Sequence, residues 1–261
     1  MRTIVVTGSA SGMGAATVAR LQRQGDRVIG IDIRDADIVA DLGTPDGRAA
    51  AIAGVHERAG DAIDGLVTWA GLPGLTDRPG SLLVRVNWSG TIELLEGLRP
   101  LLAKGTQPSA VAISSNSTTC QPGVPVEVTE RCLAGDLEGA CAAADAASSL
   151  ATYPAVKLAI AHWVRRHAPG PDWAGAGIRL NAVAPGAVET PLLQASRNDP
   201  VIGDMIDAFP VPIGFKADPD QLAALVQFLL GPDALFFCGS VIFCDGGTDA
   251  QLRPDAWPQP M

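Results

Sequence analysis

Short apolar runs closed by Gly, Pro, Ser or Asp alternate along this chain with longer stretches whose apolar positions recur every three or four residues. The first pattern is that of buried strands, and the second that of helices lying on a sheet. Strands are predicted at Thr3 to Thr7, Arg27 to Ile31, Gly65 to Trp69, Ala110 to Ser114, Ile178 to Val183 and Val241 to Cys244. Helices are predicted at Gly14 to Gln24, Pro45 to Ala59, Ser81 to Leu102, Ser149 to His167 and Asp220 to Leu230. Leu222, Leu225, Val226 and Leu229 form one of the stripes that would face the sheet. This alternation predicts an α/β fold, a doubly wound Rossmann-like parallel sheet with helices on both faces. No Ser/Gly-rich linker and no repeat of solenoid period divides the 261 residues, so one domain is expected.

A net charge of -9 without any local Lys/Arg cluster argues against nucleic acid and anionic membrane surfaces as partners. No apolar stretch has the length of a bilayer span, and Met1 to Thr7 already reads as a strand entering a loop, which points to the cytoplasm. Five cysteines without a CxxC pair suit reduced thiols. His56, His162 and His167 do not form a ligand pattern, so no metal is expected.

In a doubly wound sheet the ligand crevice lies beyond the carboxyl ends of the strands. Gly8, Asp32, Ala70, Ser115 and Pro185 all stand at or just after a predicted strand end. Gly8, Gly12 and Gly14 belong to T-G-S-A-S-G-M-G, between the first strand and the first helix. There a backbone free of side chains can approach a pyrophosphate, and the first helical N–H groups offer it partial positive charge. Asp32, 18 residues beyond Gly14, is placed to accept hydrogen bonds from an adenosine ribose and to repel a 2′-phosphate. NAD is therefore preferred to NADP, although Arg34 nearby keeps a phosphate contact open. Asp41, before Leu42, reads equally well as a loop cap or as a nucleotide contact.

The sole tyrosine, Tyr153, precedes by four residues Lys157, one of three lysines. A free phenol has a pKa of about 10 and needs a nearby ammonium to ionise readily. Lys157 would stand one helical turn away on the same face, which suits proton transfer to and from an alcohol or carbonyl. The serine partner is Ser115 or its neighbour Ser114.

The glycine loop, V-N-W-S-G around Asn87, I-S-S ending at Ser115, Y-P-A-V-K, and A-P-G-A-V-E-T ending at Thr190 follow one another in order. Over nearly its whole length the chain thus resembles the short-chain dehydrogenase/reductase family. The resemblance implies that Tyr153 is the general acid/base and that Ser115, rather than Ser114, holds the substrate oxygen. It further implies that Lys157 binds the nicotinamide ribose and favours phenolate, with Asn87 continuing a water relay. The implied cofactor contacts are Gly8, Ser11, Gly12, Met13, Gly14, Asp32, Ile33, Asp41, Leu42, Ala70, Gly71, Tyr153, Lys157, Pro185, Gly186, Val188 and Thr190. One departure is W-A-G where relatives carry N-A-G, with Trp69 in the asparagine's place, which bears on local packing more than on catalysis.

Between Ser115 and Tyr153 the chain is far longer than is usual in that family, so Asn116 to Ala151 reads as an insertion, helical at Glu127 to Leu137 and Glu138 to Ala147. Pro185 and Gly186 are expected to end their strand and turn the chain outward. Pro191 to Pro212, carrying Leu192, Leu193, Met205, Ile206 and Phe209, reads as a surface helix or, by family placement, as a substrate lid.

The insertion, with G-I-D-I-R-D-A-D, E-T-P-L-L-Q-A and D-G-G-T-D-A-Q-L-R-P, resembles the hydroxysteroid dehydrogenase/carbonyl reductase branch of the family. This implies a small apolar alcohol or ketone as substrate, a steroid first, with NAD as the hydride carrier. A smaller cyclic, terpenoid or xenobiotic alcohol and a noncatalytic NAD-binding protein are the alternatives. Family members assemble as dimers or tetramers; the insertion would cover one common interface, so a homodimer is expected. The proline-rich tail, Pro254 to Met261, is assigned no role.

Overall fold

Ile4, Val5 and Val6 are all fully buried, yet they feed two different cores. Successive side chains on a strand point to opposite faces, so a strand apolar at every position must be covered on both. In the computed structural model, which describes residues 1–256, seven parallel strands form one sheet in the order β3-β2-β1-β4-β5-β6-β7. They are β1 (Thr3–Thr7), β2 (Arg27–Asp32), β3 (Ile38–Val39), β4 (Gly65–Thr68), β5 (Ser109–Ile113), β6 (Arg179–Pro185) and β7 (Val241–Cys244). On one face, α1 (Gly12–Arg23) and α11 (Pro219–Leu230) pack together over Ile4, Val6, Val67 and Val111. On the other, α2 (Pro45–Ala59), α4 (Gly90–Leu102) and α8 (Ser149–His167) cover Val5, Ile29, Leu66 and Ala110. Because β1 pairs with both β2 and β4, the winding reverses beside β1 and opens a crevice at the carboxyl ends.

Most predicted elements match within a residue or two, and the differences have local causes. The two-residue β3, paired through Ile31↔Ile38, is too short to leave a periodic signal. The predicted helix Ser81 to Leu102 is α3 (Gly80–Leu83) and α4 joined by a π-helical turn, Val84–Ser89, which the apolar spacing did not reveal. The strand expected to stop before Pro185 continues through it. Pro185 closes the register opposite Cys244, and its carbonyl accepts from the Asn116 N–H at 3.0 Å, so the missing N–H falls at the strand's last residue.

The insertion forms α5 (Ser117–Cys120), α6 (Val126–Leu133) and α7 (Leu137–Ala147). Helix α6 ends four residues earlier than expected because Gly135 takes a left-handed φ of +75° and Asp136 caps α7 by accepting from the Gly139 N–H at 3.0 Å. Helices α6 and α7 lie against α8, tied by Thr129 Oγ1 donating to the Ala155 carbonyl at 2.9 Å and Thr152 Oγ1 to the Ala144 carbonyl at 3.1 Å. The segment after β6 is two short helices, α9 (Pro191–Arg197) and α10 (Gly203–Ala208), with α12 (Thr248–Leu252) following β7. Among the described residues no helix is long and apolar enough to cross a membrane. The end of the proline-rich tail, residues 257–261, lies outside the described residues.

Candidate active site

The glycine loop is built by close backbone contact. A Cβ on Gly14 would stand 2.0 Å from the Gly8 carbonyl oxygen, and one on Gly8, itself at φ +67°, 2.8 Å from the Ala70 nitrogen. Only glycine therefore lets the loop fold flat against the end of β4 and start α1 at Gly12. The N-cap Ser11 makes no side-chain bond to the helix, and the first turn has no acidic residue, so its N–H groups are open to an anion.

Gly8, Ser11, Gly12, Met13, Gly14, Asp32, Ile33, Asp41, Leu42, Ala70, Gly71 and Thr190 all line one cleft of about 420 Å³. Arg34 is exposed outside this lining. Asp32 also braces the loop: its Oδ2 accepts from the Ala10 N–H at 3.0 Å and its Oδ1 from the Ile33 N–H at 2.7 Å. Asp41 accepts from the Gly43 N–H at 2.9 Å in a turn and also lines the cleft. Trp69 fills the space under the loop, where its indole N–H donates to Thr17 Oγ1 at 2.9 Å. That bond, with a net worth of about 1 kcal/mol, is the local solution to the missing asparagine.

A second, smaller cleft of about 80 Å³ adjoins the first through Met13, Trp69, Gly71, Leu72, Thr190 and Leu192. Ser115, Tyr153, Lys157, Pro185, Gly186 and Val188 line it. Helix α8 can present Tyr153 here because Ser148 caps it, accepting from the Ala151 N–H at 3.4 Å. Ser114 and Ser115 separate by direction: buried Ser114 donates its hydroxyl to the Lys157 carbonyl at 2.9 Å, whereas Ser115 faces Tyr153. Asn87 sits in the π-helical turn, fully buried, with its amide clamped on Leu72. Its Oδ1 accepts from the Leu72 N–H at 2.7 Å and its Nδ2 donates to the Leu72 carbonyl at 3.0 Å. Asn87 thus fixes the loop after β4 without lining either cleft.

The electrostatics correct one expectation. Burial pushes the Tyr153 phenol above its ordinary value, and the Ser115 hydroxyl draws it only partly back. Lys157 Nζ lies 5.9 Å from the tyrosine ring centre and donates to the Ile113 carbonyl at 3.0 Å. Being buried, it holds its own proton less firmly, with a pKa lowered to about 8. In the protein alone, desolvation therefore outweighs the acidifying effect expected of Lys157.

Leu72, Leu82, Val86, Pro191, Leu192 and Leu193 also line the clefts and were not singled out from the sequence as cofactor or catalytic residues. Leu82 and Val86 stand four residues apart on one helical run, a spacing that could have marked them. Among the described residues, no group of three or more His, Cys, Asp or Glu side chains could hold a metal ion.

Two family models match this chain, "short chain dehydrogenase" over residues 2–126 and "Enoyl-(Acyl carrier protein) reductase" over residues 139–249. A 3-alpha-hydroxysteroid dehydrogenase/carbonyl reductase of Comamonas testosteroni is 42% identical over 97% of this chain and 99% of its own. A cis-4-hydroxycyclohexanecarboxylate dehydrogenase of Sinomonas cyclohexanicum is 32% identical over 95% of this chain and 97% of its own. Among solved structures, the 3-alpha-hydroxysteroid dehydrogenase of Pseudomonas sp. B-0831 complexed with NADH superposes with a TM-score of 0.93. It is 47% identical and covers 97% of this chain and 99% of its own.

Proposed function

From the premise that the chain belongs to the short-chain dehydrogenase/reductase family, we propose that it is an NAD-dependent oxidoreductase interconverting a secondary alcohol and a ketone, a 3α-hydroxysteroid first. The observation that carries this reading is the meeting of Ser115, Tyr153 and Lys157 in a small apolar-walled cleft continuous with the glycine-lined one. Gly8 to Gly14, Asp32, Asp41 and the backbone from Ala70 to Gly71 would hold the dinucleotide, with Pro185, Gly186, Val188 and Thr190 at its nicotinamide end. When bound, NAD supplies the hydride acceptor for oxidation and NADH the donor for reduction.

The chain's own residues handle the proton and the position. Ser115 Oγ would hold the substrate oxygen beside the phenol, and Tyr153 Oη would take the hydroxyl proton in oxidation and return it in reduction. Lys157 would hold the nicotinamide ribose beside the phenol, and Asn87 would continue a water relay to it. Leu72, Leu192 and Leu193 would exclude water and favour an apolar substrate. The segment 191–212 would be the lid over it, and 116–151 an insertion within the single domain.

A second reading is a smaller cyclic alcohol. The 80 Å³ cleft and the likeness to the cyclohexanecarboxylate enzyme favour it, since drug-sized ligands occupy several hundred Å³. Initial rates on a 3α-hydroxysteroid and on small cyclic alcohols, each with NAD and with NADP, separate the two. Turnover of the steroid with NAD is expected. Reduction of neither cofactor by any alcohol would return the chain to the noncatalytic alternative.

For assembly, α6 and α7 cover part of α8, while Leu235 and the wholly exposed Phe236 flank the far edge at α11 and β7. This supports a homodimer, and light scattering should give the mass of two chains. Five free cysteines suit the reducing cytoplasm as its compartment.

A further inference from the structure

Asp199 stands in the turn between α9 and α10, and its carboxylate is buried although, among the described residues, no cation pairs with it. Its two oxygens face different walls. Oδ1 stays within the segment, accepting from the N–H groups of Val201 at 3.0 Å and Ile202 at 3.3 Å. Oδ2 reaches across to the loop between β4 and α3, accepting from the Thr76 N–H and the Thr76 hydroxyl, both at 2.8 Å. These four bonds to its charged form hold the carboxyl down at about 2, so it stays ionised at every working pH.

Both connected segments form the clefts. Leu192 and Leu193 come from α9, and Leu72 comes from the β4–α3 loop. That loop also rests on the catalytic helix, where a Cβ added to Gly74 would stand 2.7 Å from the Ser149 carbonyl and 3.0 Å from the Tyr153 Cβ. A line of contact therefore runs from Asp199 through Thr76 and Gly74 to Tyr153. A separate group of charges organises the outer side of the lid: Arg197 grips Glu189 with bonds of 2.7 and 2.8 Å and reaches Asp207 at 3.0 Å, and Lys216 also pairs with Asp207. The α9–α10 segment thus has its own scaffold, and Asp199 Oδ2 serves to join it to the opposite wall.

We propose that Asp199 is the positioning residue that latches the α9–α10 lid to Thr76 across the cleft, so that the apolar substrate is held in a closed site. The substrate's part in this rests on the alcohol-dehydrogenase reading above. The apparent dissociation constant scales inversely with the fraction of molecules in the binding-competent state. A lid closed only about one-tenth of the time would therefore raise the KM of an apolar alcohol about tenfold, with kcat held within about threefold once substrate is bound.

Asp199→Asn is the selective test, because an amide can keep one acceptor for the lid's own turn but cannot accept at both positions. Asp199→Ala removes both, and Thr76→Val removes only the cross-cleft hydroxyl. Amide hydrogen exchange of the NADH-bound protein across residues 73–80 and 199–206 reads which contacts survive, independently of turnover. The expected result is faster exchange across 73–80 in both Asp199 variants. A KM about tenfold higher is expected to accompany it, with a smaller rise in Thr76→Val. Unchanged exchange across 73–80 in both, or faster exchange with wild-type KM, would overturn the latch and leave Asp199 a cap of its own turn. If the wild-type protein oxidises no alcohol, the functional reading fails by itself, and the exchange data alone judge whether the latch exists.

Discussion

Tyr153→Phe is expected to lower kcat for alcohol oxidation roughly 10²–10⁴-fold, the range that general acid/base groups contribute. Cofactor affinity and folding should stay near wild type. The substitution removes one oxygen whose partner is Ser115, and leaves the ring under Lys157 Nζ at 5.9 Å. Losing that hydrogen bond costs about 0.5–1.5 kcal/mol, too little to unfold a domain of this size. Single-turnover kinetics beside an NADH fluorescence titration separate the chemical step from binding. A variant with near-wild-type kcat would move the acid/base role to another group.

Gly14→Ala should act on the other half of the site. The added methyl would meet the Gly8 carbonyl at 2.0 Å, and both partners are backbone at a strand-to-helix turn, so neither has a rotamer to move away. Overpacking of this kind costs about 1–3 kcal/mol. Falling on the loop whose N–H groups would face the pyrophosphate, it should weaken NADH binding roughly five- to hundredfold, while kcat at saturating cofactor changes less. Equilibrium titration with NADH checks this, and unchanged affinity in a folded variant would argue that the loop does not carry the cofactor.

What the sequence made legible, and what it hid, divides along physical lines. Runs such as Thr3–Thr7 and Val241–Cys244 were found to the residue, and so were Pro45–Ala59 and Ser149–His167, because burial on a sheet imposes a period that side chains reveal. Glycines crowded between a strand and a helix disclosed a sharp turn, and the space between Gly14 and the Gly8 carbonyl leaves no room for a side chain there. The Tyr153–Lys157 spacing placed both residues on one helix face toward the same cleft. The electrostatic balance at Tyr153 was not legible, since desolvation depends on the three-dimensional surroundings and not on spacing in the chain. Nor was Asp199, whose partner Thr76 lies 123 residues away and carries no motif. The π-helical turn under Asn87 was equally silent, because one extra residue in a helical run barely disturbs its apolar spacing.

Because Tyr153 is the only tyrosine in the chain, its ionisation can be followed directly in the near ultraviolet, and the five tryptophans add no titrating proton. In the free protein the phenol should titrate above its ordinary value of about 10, because burial favours the neutral form. Oxidation needs the phenolate as base, so kcat/KM for the alcohol should rise with pH and level off above the Tyr153 pKa. Reduction needs the phenol as acid and should fall through the same pKa. The decisive measurement sets the tyrosinate titration of the NAD-bound protein beside the pH profile of kcat/KM for oxidation. Coincident midpoints, with the absorbance change lost in Tyr153→Phe, are the result predicted here. A profile already level at a pH where no tyrosinate has formed would contradict it.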